Sequence, residues 1–300
     1  MPMSRFQTLL LREWMQHRRG YLVTMIGVPI ALMALTLGNI HLHSDPVDPA
    51  FVMLASALSA TAVVLLVTWA AALFQLPGLA RRDQQDRSIE FWASLPVSHG
   101  ASIGATLLVH ALLIPLLALA IGFACAQVLA LSATASVSGA ASLADVPFGA
   151  LVLAELSMFV HAALGVLLAT LWLSPILLVL MVACAALKRW GIPAAVIGVV
   201  VLTKLLQGLY GIAQPGNTVT ALWKHAGRAF YAPDAMHSLQ WRHGLHGSGL
   251  DSLLQAMPGW AMRDSLRALG ELVDPLFVFA MALSALCFWL LVLLRRRAAA

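Results

Sequence analysis

The sequence predicts an all-α integral membrane protein with six transmembrane helices, and three observations predict it. Of the 300 residues, 61% are hydrophobic and only 10% charged, against roughly 25% charged in an ordinary soluble domain. The apolar residues arrive in uninterrupted runs near or above the roughly 20 residues that a helix needs to cross the hydrocarbon layer. Lys and Arg cluster at the ends of those runs rather than along one polar face. That is the pattern of membrane orientation, so the net charge of +5 points to lipid and not to nucleic acid. Backbone polar groups in lipid must be satisfied within the segment, which makes the runs helices.

Residues 4–19 place Phe6, Leu9, Leu10 and Trp14 at helical spacing, with Arg5, Arg12, Gln16 and Arg19 on other faces. This predicts a helix lying in the interface. No small-residue cleavage site follows the first apolar run, so that run is expected to stay as an anchor. The predicted spans are 21–40, 51–75, 101–132, 150–187, 191–212 and 275–294. The fourth is long: 38 residues of helix measure about 57 Å, against a hydrocarbon core of about 30 Å.

Charge placement favours one crossing there. Six crossings put Arg5, Arg12, Arg18, Arg19, Arg81, Arg82, Arg87, Lys188, Arg189, Arg295, Arg296 and Arg297 on one side. A seventh would move Lys188, Arg189 and the terminal triplet to the other. Residues 150–165 are therefore expected partly outside the membrane or along its outer surface, with Pro175 a place to kink. Both termini are expected in the cytoplasm of a multi-pass protein of a cell inner membrane. The outer connections 41–50 and 133–149 agree, having no Lys or Arg. The third, 213–274, carries Lys224, Arg228, Arg242, Arg263 and Arg267 but is long enough for the charge rule to weaken. Trp260, Met262, Leu266, Leu269 and Leu272 predict a short helix there, between a Pro258-Gly259 turn and Asp274-Pro275.

Several chemistries are excluded by spacing. Cys125, Cys184 and Cys287 sit inside apolar runs at unrelated intervals, so neither a disulfide framework nor a zinc site is indicated. His41 with His43, His243 with His246, and the nearby His225 and His237 lack a companion Cys or carboxylate cluster, so no metal site is expected. His110 and His161 are expected to be hydrogen-bonded within the bundle. Gly211 to Thr218 has the glycine spacing of a phosphate loop, but Asn217 stands where its Lys belongs. No nucleotide site and no catalytic residue are expected on this chain. An intramembrane enzyme would need a nucleophile and its base at one depth, and His110 and His161 form no such pattern with Ser157 or Ser174.

Ionisable residues inside apolar runs are functional suspects by default, and here they are Glu155 and Lys204. Lys204 lies about 20 Å from the inner surface and Glu155 about 48 Å, at the rise of a regular helix. The two form a pair only if the fourth segment folds back. Both are candidates for the translocation path.

The most informative stretch is the inner connection 77–100, PGLARRDQQDRSIEFWASLPVSHG. It opens on a Pro-Gly break, continues through a charged run compatible with a helix, groups Phe91, Trp92 and Leu95, and closes at Pro96. A short amphipathic helix with an aromatic knob fits, and such a knob suits a groove on another protein.

Within it, Asp86-Arg87-Ser88-Ile89-Glu90-Phe91-Trp92-Ala93-Ser94-Leu95-Pro96-Val97-Ser98 resembles the cytoplasmic segment of type-2 ABC transporter permeases, which often reads DRSI, one residue, FW, one residue, SLPVS. The order of parts along residues 1–300, one permease domain, is also similar to that family. The resemblance implies a coupling helix that docks on a cytoplasmic ABC ATPase through Asp83, Asp86, Arg87, Glu90, Phe91 and Trp92. It further implies that ATP and Mg belong to that partner, that this chain carries no cofactor, and that two membrane subunits pair, by default symmetry a homodimer. Export of a substrate is the implied activity. The connection 213–274 is longer than the compact re-entrant hairpin of the family. The alternative is an ion-coupled secondary carrier, which wants midplane ionisable residues, as Lys204 would supply.

Overall fold

The computed structural model describes residues 5–38, 48–80, 98–210, 214–231 and 249–299, and all regular structure among them is helical. In order these are α1 (Arg5–Gly38), α2 (Pro49–Leu79), α3 (His99–Leu108), a π-helical turn (Val109–Leu113), α4 (Ile114–Val137), α5 (Phe148–Leu187), α6 (Gly191–Tyr210), α7 (Gln214–Arg228), α8 (Gly249–Gly270) and α9 (Pro275–Ala299). Five stretches are long and apolar enough to cross a membrane: Phe6–Thr36, Pro49–Leu79, His99–Val137, Phe148–Leu209 and Pro275–Arg297.

Helix starts are set locally. The Asp48 carboxylate accepts from the Ala50 amide at 2.8 Å ahead of Pro49, and the Asp274 carboxylate does the same for Leu276 at 2.8 Å ahead of Pro275. Each satisfies an orphan amide while proline fills the first helical position. Ser98 caps α3 through the Ala101 amide at 3.2 Å.

The 62-residue stretch Phe148–Leu209 is two helices. Lys188 takes φ 54° and ψ −124°, a short 3-10 turn follows, and the chain reverses. A Cβ at Gly191 would stand 2.5 Å from the backbone of Cys184. Only glycine lets α6 start so close to the end of α5, and the two helices then pack on each other. The break falls between the predicted boundaries at 187 and 191.

Two expectations are corrected, the separate helix 4–19 and the turn at Pro258-Gly259. The interfacial helix 4–19 is not a separate element, because residues 5–38 form one continuous helix. Leu9, Glu13, Tyr21 and Met25 recur at four-residue spacing and are buried, so packing runs straight through the polar stretch. Residues 150–165 pack within the bundle. They begin α5, a helix of 40 residues, and Leu151 and Ala154 are fully buried at 0% exposure. In the connection 213–274, α7 and α8 both pack on α5. Pro258 and Gly259 lie inside α8 rather than at a turn. Its buried face is Leu254, Met257, Trp260, Ala261, Asp264 and Ala268, whereas Met262, Leu266 and Leu269 are exposed.

Small residues make the tightest pairing, that of α2 with α4. Ala118, Gly122, Ala126 and Ala130 form one buried ridge of α4, and a Cβ at Gly122 would meet Val64 at 3.1 Å. Small residues at four-residue spacing let helix backbones approach closely, the usual route to helix association in lipid. The second organiser is α5, which touches α2, α4, α6, α7, α8 and α9. Val166, Leu168, Ala169, Trp172 and Met181 of α5 form the middle of the main core, with Leu222 and Ala226 of α7 and Cys287 and Leu291 of α9.

Candidate functional site

Where α2, α4, α5 and the chain after α7 diverge they enclose a cavity of about 410 Å³. Its walls are apolar, formed by side chains such as Leu65, Leu119, Phe123, Met158 and Phe159. Three titratable residues line it, Glu155 and His161 from α5 and Tyr231 from the chain after α7. Residues 155, 158, 159 and 162 repeat at helical spacing and so present one face to the space.

Glu155 is 2% exposed. Gln127 of α4 is the polar side chain set against it. Among the described residues neither its Oε1 nor the Gln127 Nε2 has a hydrogen-bond partner. A buried carboxylate oxygen without a partner is costly, and Glu155 is one of the residues that line the space.

His161 is fixed on both nitrogens. Nε2 donates to the Phe230 carbonyl at 2.9 Å, and Nδ1 meets Ser265 Oγ at 2.8 Å. Since the carbonyl only accepts, the neutral ring carries its proton on Nε2 and accepts from the Ser265 hydroxyl. Asp264 Oδ2 lies 3.6 Å from Nε2, and Trp260 sets its ring edge-on to the imidazole, centroids 5.4 Å apart. The close passage of the chain after α7 depends on Gly165, where a Cβ would come within 2.7 Å of the Phe230 ring. Next to this group His225 stacks on Trp172 at 4.3 Å and pairs with Glu271 at 2.8 Å.

Of the residues singled out from the sequence, Glu155 is thus in the cavity. Lys204 is not: it lies on the exposed face of α6, and no ion pair among the described residues joins it to Glu155. Asp83, Asp86, Arg87, Glu90, Phe91 and Trp92 lie outside the described residues, as do His41, His43, His237, His243 and His246. His161 does hydrogen-bond inside the bundle as expected. Asp264 and Ser265 were not anticipated; the one signal was an acid four residues after Trp260 on a helix otherwise buried through apolar side chains.

Chemically the site offers a buried carboxyl group set against Gln127 and a clamped imidazole, both from residues that line an apolar space. It is equipped to hold an amphipathic molecule by one donor group or to take up a cation or proton. No protein-family model, no curated protein and no solved structure matches the chain.

Proposed function

We propose that the chain is the membrane-spanning permease subunit of an ATP-driven exporter, paired with a second copy and powered by a separate cytoplasmic ATPase. The observation that carries this reading is the string Asp86 to Ser98, set between two stretches long enough to span a membrane, Pro49–Leu79 and His99–Val137. Its acidic, basic and aromatic residues suit a helix that docks on another protein and transmits closure to α2 and α3. With α5 and α6 counted separately there are six crossings, both termini are cytoplasmic in an inner membrane, and the Arg-rich ends share one side. The cavity beside Glu155 supplies a place for substrate within each subunit.

The test is to extract the tagged chain gently from its native membrane and identify what co-purifies by mass spectrometry. A stoichiometric soluble ATPase with a phosphate-loop motif is the expected result. An intact, monodisperse chain without one overturns the reading.

One observation favours a second reading, an ion-coupled carrier: Glu155, His161 and Asp264 are titratable and buried within the bundle. Uptake into vesicles driven by an ion gradient, without ATP, would select it.

A further inference from the structure

Away from the cavity, three side chains capable of holding a metal converge between α1 and the π-helical turn. Glu13 and His17 are four residues apart on α1 and so share a face. His110 arrives from Val109–Leu113. One donor atom from each lies within 4.8 Å of the other two. Glu13 is 1% exposed and His110 0%, and the two imidazoles meet edge to face with centroids 4.8 Å apart.

Both rings are already oriented. His17 donates from Nδ1 to the Glu13 carbonyl at 3.1 Å, and His110 donates from Nδ1 to the Thr106 carbonyl at 3.0 Å. A neutral imidazole that donates from Nδ1 carries its lone pair on Nε2. An N–H held by a backbone carbonyl is also the common outer shell of a metal-bound histidine, fixing tautomer and ring plane. The π turn contributes a register shift of one residue, a distortion frequent at functional sites. The backbone around it is tied down, because Thr170 of α5 donates to the Ala111 carbonyl at 2.9 Å.

The geometry points to a binding site for one divalent transition-metal ion, held by the Nε2 atoms of His17 and His110 and the Glu13 carboxylate. Two imidazoles and a carboxylate, with no thiolate, suit zinc, cobalt or nickel better than magnesium, calcium or cuprous ion. Ligand atoms about 2.1 Å from such an ion stand about 3.4 Å from one another. The three donor atoms already lie within 4.8 Å of one another, so closing on one ion draws them together by at most about 1.4 Å. Of the three, Glu13 also borders a small opening of about 30 Å³, lined by Arg12, Ile103 and Thr106 among others. Arg12 pairs with Glu13 Oε1 and therefore competes with the ion for this carboxylate. Bound metal would fasten α1 to the π turn, about ninety residues away in sequence, which is why spacing alone does not reveal it.

The full chain, purified in detergent and stripped with chelator, is titrated with cobalt(II) by absorption spectroscopy and loaded with zinc for elemental analysis. One ion per chain is expected. His17→Gln and His110→Gln should each weaken binding by more than the roughly 10- to 100-fold that loss of an outer-shell partner costs, and Arg12→Gln should tighten it. A wild-type chain that takes up no metal, or monodisperse histidine variants that bind as tightly as wild type, would overturn the assignment. X-ray absorption of the zinc-loaded wild type guards against variants that misfold: two imidazoles are expected, and a sphere of oxygen ligands alone refutes the site. No readout involves an ATPase or transport, so failure here leaves the proposed function standing.

Discussion

His161 and Asp264 face each other across α5 and α8, with Nε2 of the imidazole 3.6 Å from a carboxylate oxygen and the two side chains only 3% and 2% exposed. The same ring bonds the Phe230 carbonyl and the Ser265 hydroxyl. One side chain thereby joins α5, α8 and the chain that follows α7. His161→Ala is expected to leave the Ser265 hydroxyl and the Phe230 carbonyl without their partner, at about 1–3 kcal/mol for each group stranded. Thermal unfolding of the detergent-solubilised variant should show a clear fall in Tm. An unchanged Tm would mean that the junction is held by other contacts.

Glu155→Gln keeps the size of the side chain and removes its charge. The fold should survive, because the carboxylate oxygen it replaces has no partner among the described residues. If the cavity holds substrate through this group, transport should fall at least about tenfold, equivalent to about 1.4 kcal/mol. A variant that transports at the wild-type rate would remove Glu155 from the path.

Gly122 is expected to tolerate little. Its Cβ position is 3.1 Å from Val64, so Gly122→Leu must push α2 from α4 along the ridge where their backbones approach. Overpacking of this kind costs about 1–3 kcal/mol. Gly122→Ala should cost less, and the order of the two Tm values is the measurement. Equal stability for the leucine variant would show that this helix pair is not set by small residues.

If the proposed ATPase docks on the segment 77–100, the double substitution Glu90→Arg with Phe91→Ala is expected to leave the chain inserted and to release that ATPase. Insertion is read from membrane fractionation and release from co-purification. Retained ATPase on a properly inserted variant would sink the coupling-helix assignment.

Element boundaries were legible because they rest on local chemistry. Asp48-Pro49, Ser98 and Asp274-Pro275 announce helix starts, and the charged Lys188-Arg189 pair marks the reversal after α5. Packing faces were less legible, for a physical reason. Helical spacing marks a helix, but its buried face is chosen by contacts with α5, far away in sequence, so the spacing of Met262, Leu266 and Leu269 does not reveal that they are exposed. They point outward while Asp264 points in. In α1, Arg18, Arg19 and Gly20 read as a boundary, yet all three are exposed and the helix passes beneath them. The site itself required juxtapositions far apart in sequence: the His161 bond to Ser265, and the placement of Gln127 against Glu155, are supplied only by the fold.

The central position of α5 also bears on how the protein is made. Its neighbours come from both directions in the chain, α2 and α4 before it and α6 to α9 after. As the chain leaves the ribosome, α2 and α4 are complete first, and their small-residue seam needs nothing further to close. When α5 emerges it finds half of its surface matched and the other half, the side that receives Leu222, Ala226, Cys287 and Leu291, still waiting. Assembly therefore has two stages separated by the synthesis of more than a hundred residues, and in that interval the half-covered helix depends on lipid or on the insertion machinery to shield Trp172 and its neighbours.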